Sequence, residues 1–175
     1  AEDELGLGKS HDGIMVLPET AKVGQAAAEY FQLESDTLIE IGLTPNRVDA
    51  ASHYGVARDL AVYLNLDGDY PINKPAVDAF KIDNQDLKIE VKVEDEKACP
   101  RYSAITLTEV KVADSPNWFQ NRLRAIGLKP INNIVDITNY VLHEIGQPLH
   151  AFDAAKITGN KVVVSHLPSK TKFTT

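Results

Sequence analysis

The chain has 175 residues, 43% hydrophobic and 25% charged, with a formal net charge of −7, which suits one globular domain or a small domain joined to part of another. The acidic balance argues against a surface built mainly for a phosphate backbone, since Lys and Arg supply nonspecific nucleic-acid affinity by releasing counterions. No apolar run approaches the roughly 20 residues of a membrane span, and the single cysteine, Cys99, excludes an internal disulfide framework and fits a reducing compartment such as the cytoplasm. Up to residue 24 the chain is mixed, with Pro18 and Gly24 as breakers. Gln25 to Leu33 has helical character, and Ile39, Ile41 and Leu43 mark a strand over Leu38 to Leu43. Thr44-Pro45-Asn46 reads as a turn, because proline fixes φ and Asn tolerates turn geometry. Ser52 then caps a helix whose apolar stripe is Val56, Ala57, Leu60, Ala61 and Leu64, with His53 in a solvated first turn.

Leu66 to Asp86 contains Gly68, Pro71, Pro75 and five aspartates, the composition of a linker. From Leu87 to Glu94 apolar and charged residues alternate strictly, which predicts a half-buried strand in an antiparallel pairing. Tyr102 to Val112 predicts a second strand. Its apolar set shifts from Ile105 and Leu107 to Val110 and Val112, so a bulge is expected near Thr108 and Glu109. Ser115-Pro116 opens a helix with buried positions Phe119, Leu123 and Ile126, Trp118 beside them in the core, and Gly127 at its end. Asn133 is the expected cap of a further helix from Ile134 to Ile145, with Ile134, Ile137, Val141 and Ile145 as its buried ridge and Gly146 as its stop. Asn160 to Leu167 predicts a last strand. The fold class is α+β, with mixed, mainly antiparallel sheets and packed helices in two units. The first unit is 1–65, the linker 66–86 and the second unit 87–175.

Function points to Lys129–Asp153. Asn132, Asn133, Thr138, Asn139, Tyr140 and Gln147 surround a short apolar helix together with His143 and His150, more polar company than packing requires. Thr138 falls at the edge of the apolar ridge, where its hydroxyl either meets a ligand or bonds back to the carbonyl of Ile134. Asn139 shares a flank with His143, and Pro148 stiffens the loop that carries His150. Arg122, Arg124 and Lys129 are the densest basic group, which reads either as an RNA contact or as a solvated helix face. One cysteine and scattered histidines do not make a closed four-ligand metal site. P-loop, GxGxxG, GxSxG and HExxH signatures are absent from the sequence.

Four stretches, in order, carry a family resemblance: DELGLGKSHDGIMVLPE (Asp3–Glu19), EIGLTPNRVDAASHYGVARDLA (Glu40–Ala61), CPRYSAITLTEVKV (Cys99–Val112) and KPINNIVDITNYVLHEIGQPLHAFD (Lys129–Asp153). The chain resembles beta subunits of bacterial phenylalanyl-tRNA synthetases. The resemblance implies the exit of an OB-like insert and a structural domain in the first unit. It implies the beginning of a tRNA-editing domain, incomplete at the C-terminus, in the second. It further implies hydrolysis of tRNA(Phe) mischarged with tyrosine, in a pocket lined by Thr138, Asn139 and His150. Lys129 stands where the family commonly has Arg and would touch tRNA as a point charge. The family's tyrosine-reading glutamate would lie beyond Thr175. A second sieve makes chemical sense, because an apolar synthetic pocket cannot strongly reject an isostere that adds a hydroxyl. By the same resemblance, ATP and magnesium serve the partner alpha subunit and neither binds here, and two alpha and two beta chains assemble as a heterotetramer. The alternative is a non-catalytic structural or RNA-binding scaffold.

Overall fold

The computed structural model describes residues 1–8 and 10–172. Along the chain run α1 (Ala27–Tyr30), α2 (His53–Leu64), β1 (Glu90–Val93), α3 (Asn117–Ala125), α4 (Asn133–Ile145) and β2 (Lys161–Val164), with single 3-10 turns at Val48–Ala50, Ala154–Lys156 and Thr158–Asn160. Among the described residues no helix is long and apolar enough to cross a membrane.

The α+β class agrees with the sequence, but the sheet differs from the expectation. Its two strands are parallel, with Glu90 opposite Lys161 and Val93 opposite Val164. The cause is connectivity. The second expected strand, Tyr102 to Val112, joins no ladder among the described residues, so β1 pairs with a strand that follows α3 and α4, and a long crossover through helices is what parallel pairing needs. Lys161 Nζ lies 2.9 Å from Glu90 Oε1 and joins the two strand starts. Leu38 to Leu43 likewise joins no ladder among the described residues. The break in alternation at Thr108–Glu109 marks a bend in which Glu109 takes φ 58°; without a paired neighbour it is no bulge.

The Ser52 cap forms as expected, its hydroxyl accepting from Gly55 N at 3.0 Å. Gly55 is buried because the Val48–Ala50 turn lies directly on α2, where a Cβ would collide with the Asp49 carbonyl and the Ala50 backbone. Arg47 locks the same corner, binding Asp49 at 3.0 Å and Asp59 at 2.6 Å. Its hydrogen bond holds the Asp49 carboxyl below the usual carboxylate range.

The core is small and split. Ala50 and Ala61 are buried beside α2, and Phe119 and Leu123 beside α3 and α4. Phe119 and Leu123 are two of the three positions expected to be buried on α3. Trp118 is not in the core; it is 56% exposed and only leans on Phe119. On α4 the expected ridge is not the buried face: Ile137 and Ile145 are exposed and Ile134 and Val141 half-buried, while Asp136 is 1% exposed. The reason is that the neighbours of α4 offer hydrogen-bonding groups and aromatic edges on its polar side. Phe119 packs on Tyr140 with ring centroids 5.0 Å apart, and His53 Nδ1 is 2.9 Å from the His143 carbonyl oxygen.

Candidate functional site

The candidate site is built on α4 and the segments that enter and leave it. Asn132, rather than Asn133, caps the helix: its carboxamide oxygen accepts from Ile134 N and Val135 N, both at 3.1 Å. Asn133 instead ties α4 to the preceding extended segment. Its side chain accepts from Ala113 N at 3.2 Å and donates to the Lys111 carbonyl at 3.0 Å, and its own N–H donates to the Ala113 carbonyl at 2.8 Å. This pattern imitates one rung of a β-ladder with a side chain.

Asp136, one turn after the cap, is a buried carboxylate with both oxygens occupied. Ser115 Oγ donates to Oδ2 at 2.6 Å and Ile131 N donates to Oδ1 at 2.9 Å. Ser115, expected as a helix cap, is itself 4% exposed and serves this bond, while Pro116 occupies the cap position of α3. Sequence reasoning passed over Asp136. The available signal was an Asp set among Ile134, Val135 and Ile137 on the side of the helix opposite the isoleucine ridge.

Thr138 and Asn139 are consecutive on α4 and both half-buried. The Thr138 hydroxyl donates to the Val135 carbonyl at 2.7 Å, a back-bond displaced by one residue from the expected Ile134. The helix stops at Gly146 with φ 77°, a left-handed cap that glycine adopts without steric cost. Gln147 to His150 then runs exposed, with the His150 ring 6.3 Å from that of Phe152. Lys129 is exposed in the turn between α3 and α4.

The other basic residues of that surface are engaged locally. Arg122 pairs with Asp36 at 2.7 Å, and Arg124 donates to Gln120 at 2.7 Å and to Asn121 at 3.1 Å. The Asp36 carboxyl is held low first by the Thr37 backbone N–H and then by Arg122. An open cleft of about 390 Å³ lies elsewhere, between α2, the strap from Tyr70 to Pro75, and Glu144. It is lined mainly by apolar and aromatic side chains, and Thr138, Asn139, His150 and Lys129 do not line it.

Comparison with known proteins supplies what this geometry alone does not. Residues 98–175 match the B3/4 domain. The whole chain is 56% identical to the phenylalanine–tRNA ligase beta subunit of Bacteroides fragilis, covering 22% of that protein. It is also 56% identical over its full length to the beta subunit of Porphyromonas gingivalis, covering 21% of it. Over 94% of its length it is 48% identical to that of Chlorobaculum tepidum, covering 19% of it. The chain thus spans about a fifth of the length of these relatives, and over that stretch it is similar to phenylalanine–tRNA ligase beta subunits, with the B3/4 match in its second half.

Proposed function

We propose that this chain is the part of a phenylalanine–tRNA ligase beta subunit that serves post-transfer editing, the hydrolysis of tRNA(Phe) mischarged with tyrosine, within an enzyme that aminoacylates tRNA(Phe). The observation that carries this reading is the B3/4 match over residues 98–175, because it contains Lys129, Thr138, Asn139 and His150 together. Units 1–65 and 87–175 joined by 66–86 remain the proposed division. In the proposed assembly two beta chains join two alpha subunits, which use ATP and magnesium, and this segment binds neither.

In this reading water adds to the ester carbonyl, the bond to the ribose oxygen breaks, and free tyrosine and tRNA leave; no cofactor is consumed. Thr138 lies eight residues before Gly146, about 12 Å along the axis at 1.5 Å per residue. The proposed pocket requires the Gln147–His150 loop to run back along α4, so that His150 stands at the Thr138–Asn139 level. Asn139 and His150 then supply hydrogen bonds to the ester, and Lys129 a positive charge to the tRNA terminus. Positioning outweighs acid–base catalysis here, since among the described residues no carboxylate is paired with His150.

The test is Tyr-tRNA hydrolysis by the complete ligase. His150→Ala should slow it about tenfold to a hundredfold, the range of one lost positioning or proton-transfer contact. The bulkier Thr138→Met should slow it further, and phenylalanine aminoacylation should be nearly untouched by either. Normal editing by both variants would favour the scaffold reading instead.

A further inference from the structure

Lys129 occupies a connection of four residues, Leu128 to Ile131, between Gly127 and the Asn132 cap. One end is fixed by α3: Gly127 N donates to the Arg124 carbonyl and Leu128 N to the Leu123 carbonyl, both at 2.9 Å, with Gly127 at φ 80°. At the other end Ile131 N donates to Asp136 Oδ1 at 2.9 Å, next to the Asn132 cap and the Asn133 bridge to Ala113. Asp136 is 1% exposed, and its second oxygen takes the Ser115 hydroxyl at 2.6 Å. A buried carboxylate with backbone and hydroxyl donors on its two oxygens is an expensive choice for a packing position, where an apolar residue would serve. It is well suited to holding a short turn against a helix, because charge-assisted hydrogen bonds are the stronger and shorter kind.

We infer that Asp136 is a positioning residue: through Ile131 N–H it sets where the Lys129 ammonium stands relative to Thr138 and Asn139 on the same helix. The inference rests on the editing reading above and adds to it a residue that touches neither tRNA nor ester. Without the carboxylate, the turn keeps its α3 pin and the Asn132 and Asn133 bonds but loses the hydrogen bond that holds Ile131, so Lys129 shifts relative to Thr138 and Asn139. The loss then falls on tRNA binding rather than on the hydrolytic step.

The experiment is steady-state Tyr-tRNA hydrolysis by the complete ligase complex carrying D136A, K129A, the double variant, or S115A. D136A is expected to raise KM about tenfold with kcat within about twofold. The double variant should be no worse than the more impaired single variant, since residues acting as one unit are non-additive. S115A leaves the Ile131 bond in place and should hold KM within about twofold. Additive losses, a fall in kcat alone, or S115A matching D136A would overturn the inference, because each marks a role in general packing. If D136A does not assemble, D136N carries the test. An amide oxygen accepts more weakly than a carboxylate, so KM should rise about threefold, and an unchanged KM would overturn the inference. If H150A and T138M also edit normally, the editing reading itself has failed; if they are impaired while KM in D136A is unchanged, only the role of Asp136 has.

Discussion

At the scale of single residues, the polar side chains of α4 divide into two groups. Asn132, Asn133 and Asp136 are committed to a cap, a ladder-like bridge and a buried clamp. Thr138 returns its hydroxyl to the helix, while Asn139 is half-buried and His150 exposed. Tyr140 stands between packing and polarity. Burial pushes its phenol above the ordinary value of 10.0, and the nearby Glu144 carboxylate adds to the shift. A raised folded value means that the native state holds the phenolic proton more tightly than the unfolded chain. This contribution to stability is complete below about pH 10 and is lost as pH rises through the folded value. Ultraviolet titration of the folded chain against Tyr140→Phe should show that the missing transition lies above pH 10.0. A missing transition at or below that value would contradict the account.

At the scale of elements, close contact of backbones matters more than amphipathic pattern. In α2, Gly55 is weaker as a helix former than alanine by about 1 kcal/mol. Gly55→Ala would regain that propensity but would drive a methyl into the Asp49–Ala50 backbone, and overpacking of this kind costs about 1–3 kcal/mol. The atoms met are main chain rather than a flexible side-chain tip, so the steric cost should win. A lowered denaturation midpoint is expected, and an unchanged or raised one would mean that the 3-10 turn does not rest on α2. The same priority explains α4. Its isoleucine ridge has the right period for burial, but the hydrogen bonds from Ser115, Ile131 and Ala113 and the Phe119 ring take the opposite side of the helix.

At the scale of the whole molecule, the accessible surface is 15187 Å². A compact monomer of 19.2 kDa would present roughly 8,400 Å² by the usual scaling of surface with mass. Ile105, Leu107, Val110 and Val112, alternating along an unpaired segment, are all exposed. The contacts that cross the 66–86 segment are few but specific: α2 packs on α4, and Asp36 pairs with Arg122. Within that segment the first part is tied down, since Tyr70 N donates to Asn65 Oδ1 at 2.8 Å and the Asn65 side-chain amide donates to the Tyr70 carbonyl at 3.1 Å. The stretch 76–86 has no such anchor to α2 and should open first. Trypsin is therefore expected to cut after Lys81 before it cuts after Arg58, and early cleavage at Arg58 within α2 would count against the proposed two-unit division.

Local signals determined the helices of this chain. Ser52, Gly127 and Gly146 mark their ends by chemistry that acts within four residues, and Phe119 and Leu123 show their buried side by spacing alone. The four ordered motifs likewise carry the family resemblance without any geometry. Tertiary structure decided what no short window contains. Strand partners separated by about seventy residues made the sheet parallel, because pairing depends on which distant segment presents a complementary edge. The buried side of α4 went to Asp136 rather than to the isoleucines, because a hydrophobic period reports what a helix can bury and only its neighbours determine what it does bury.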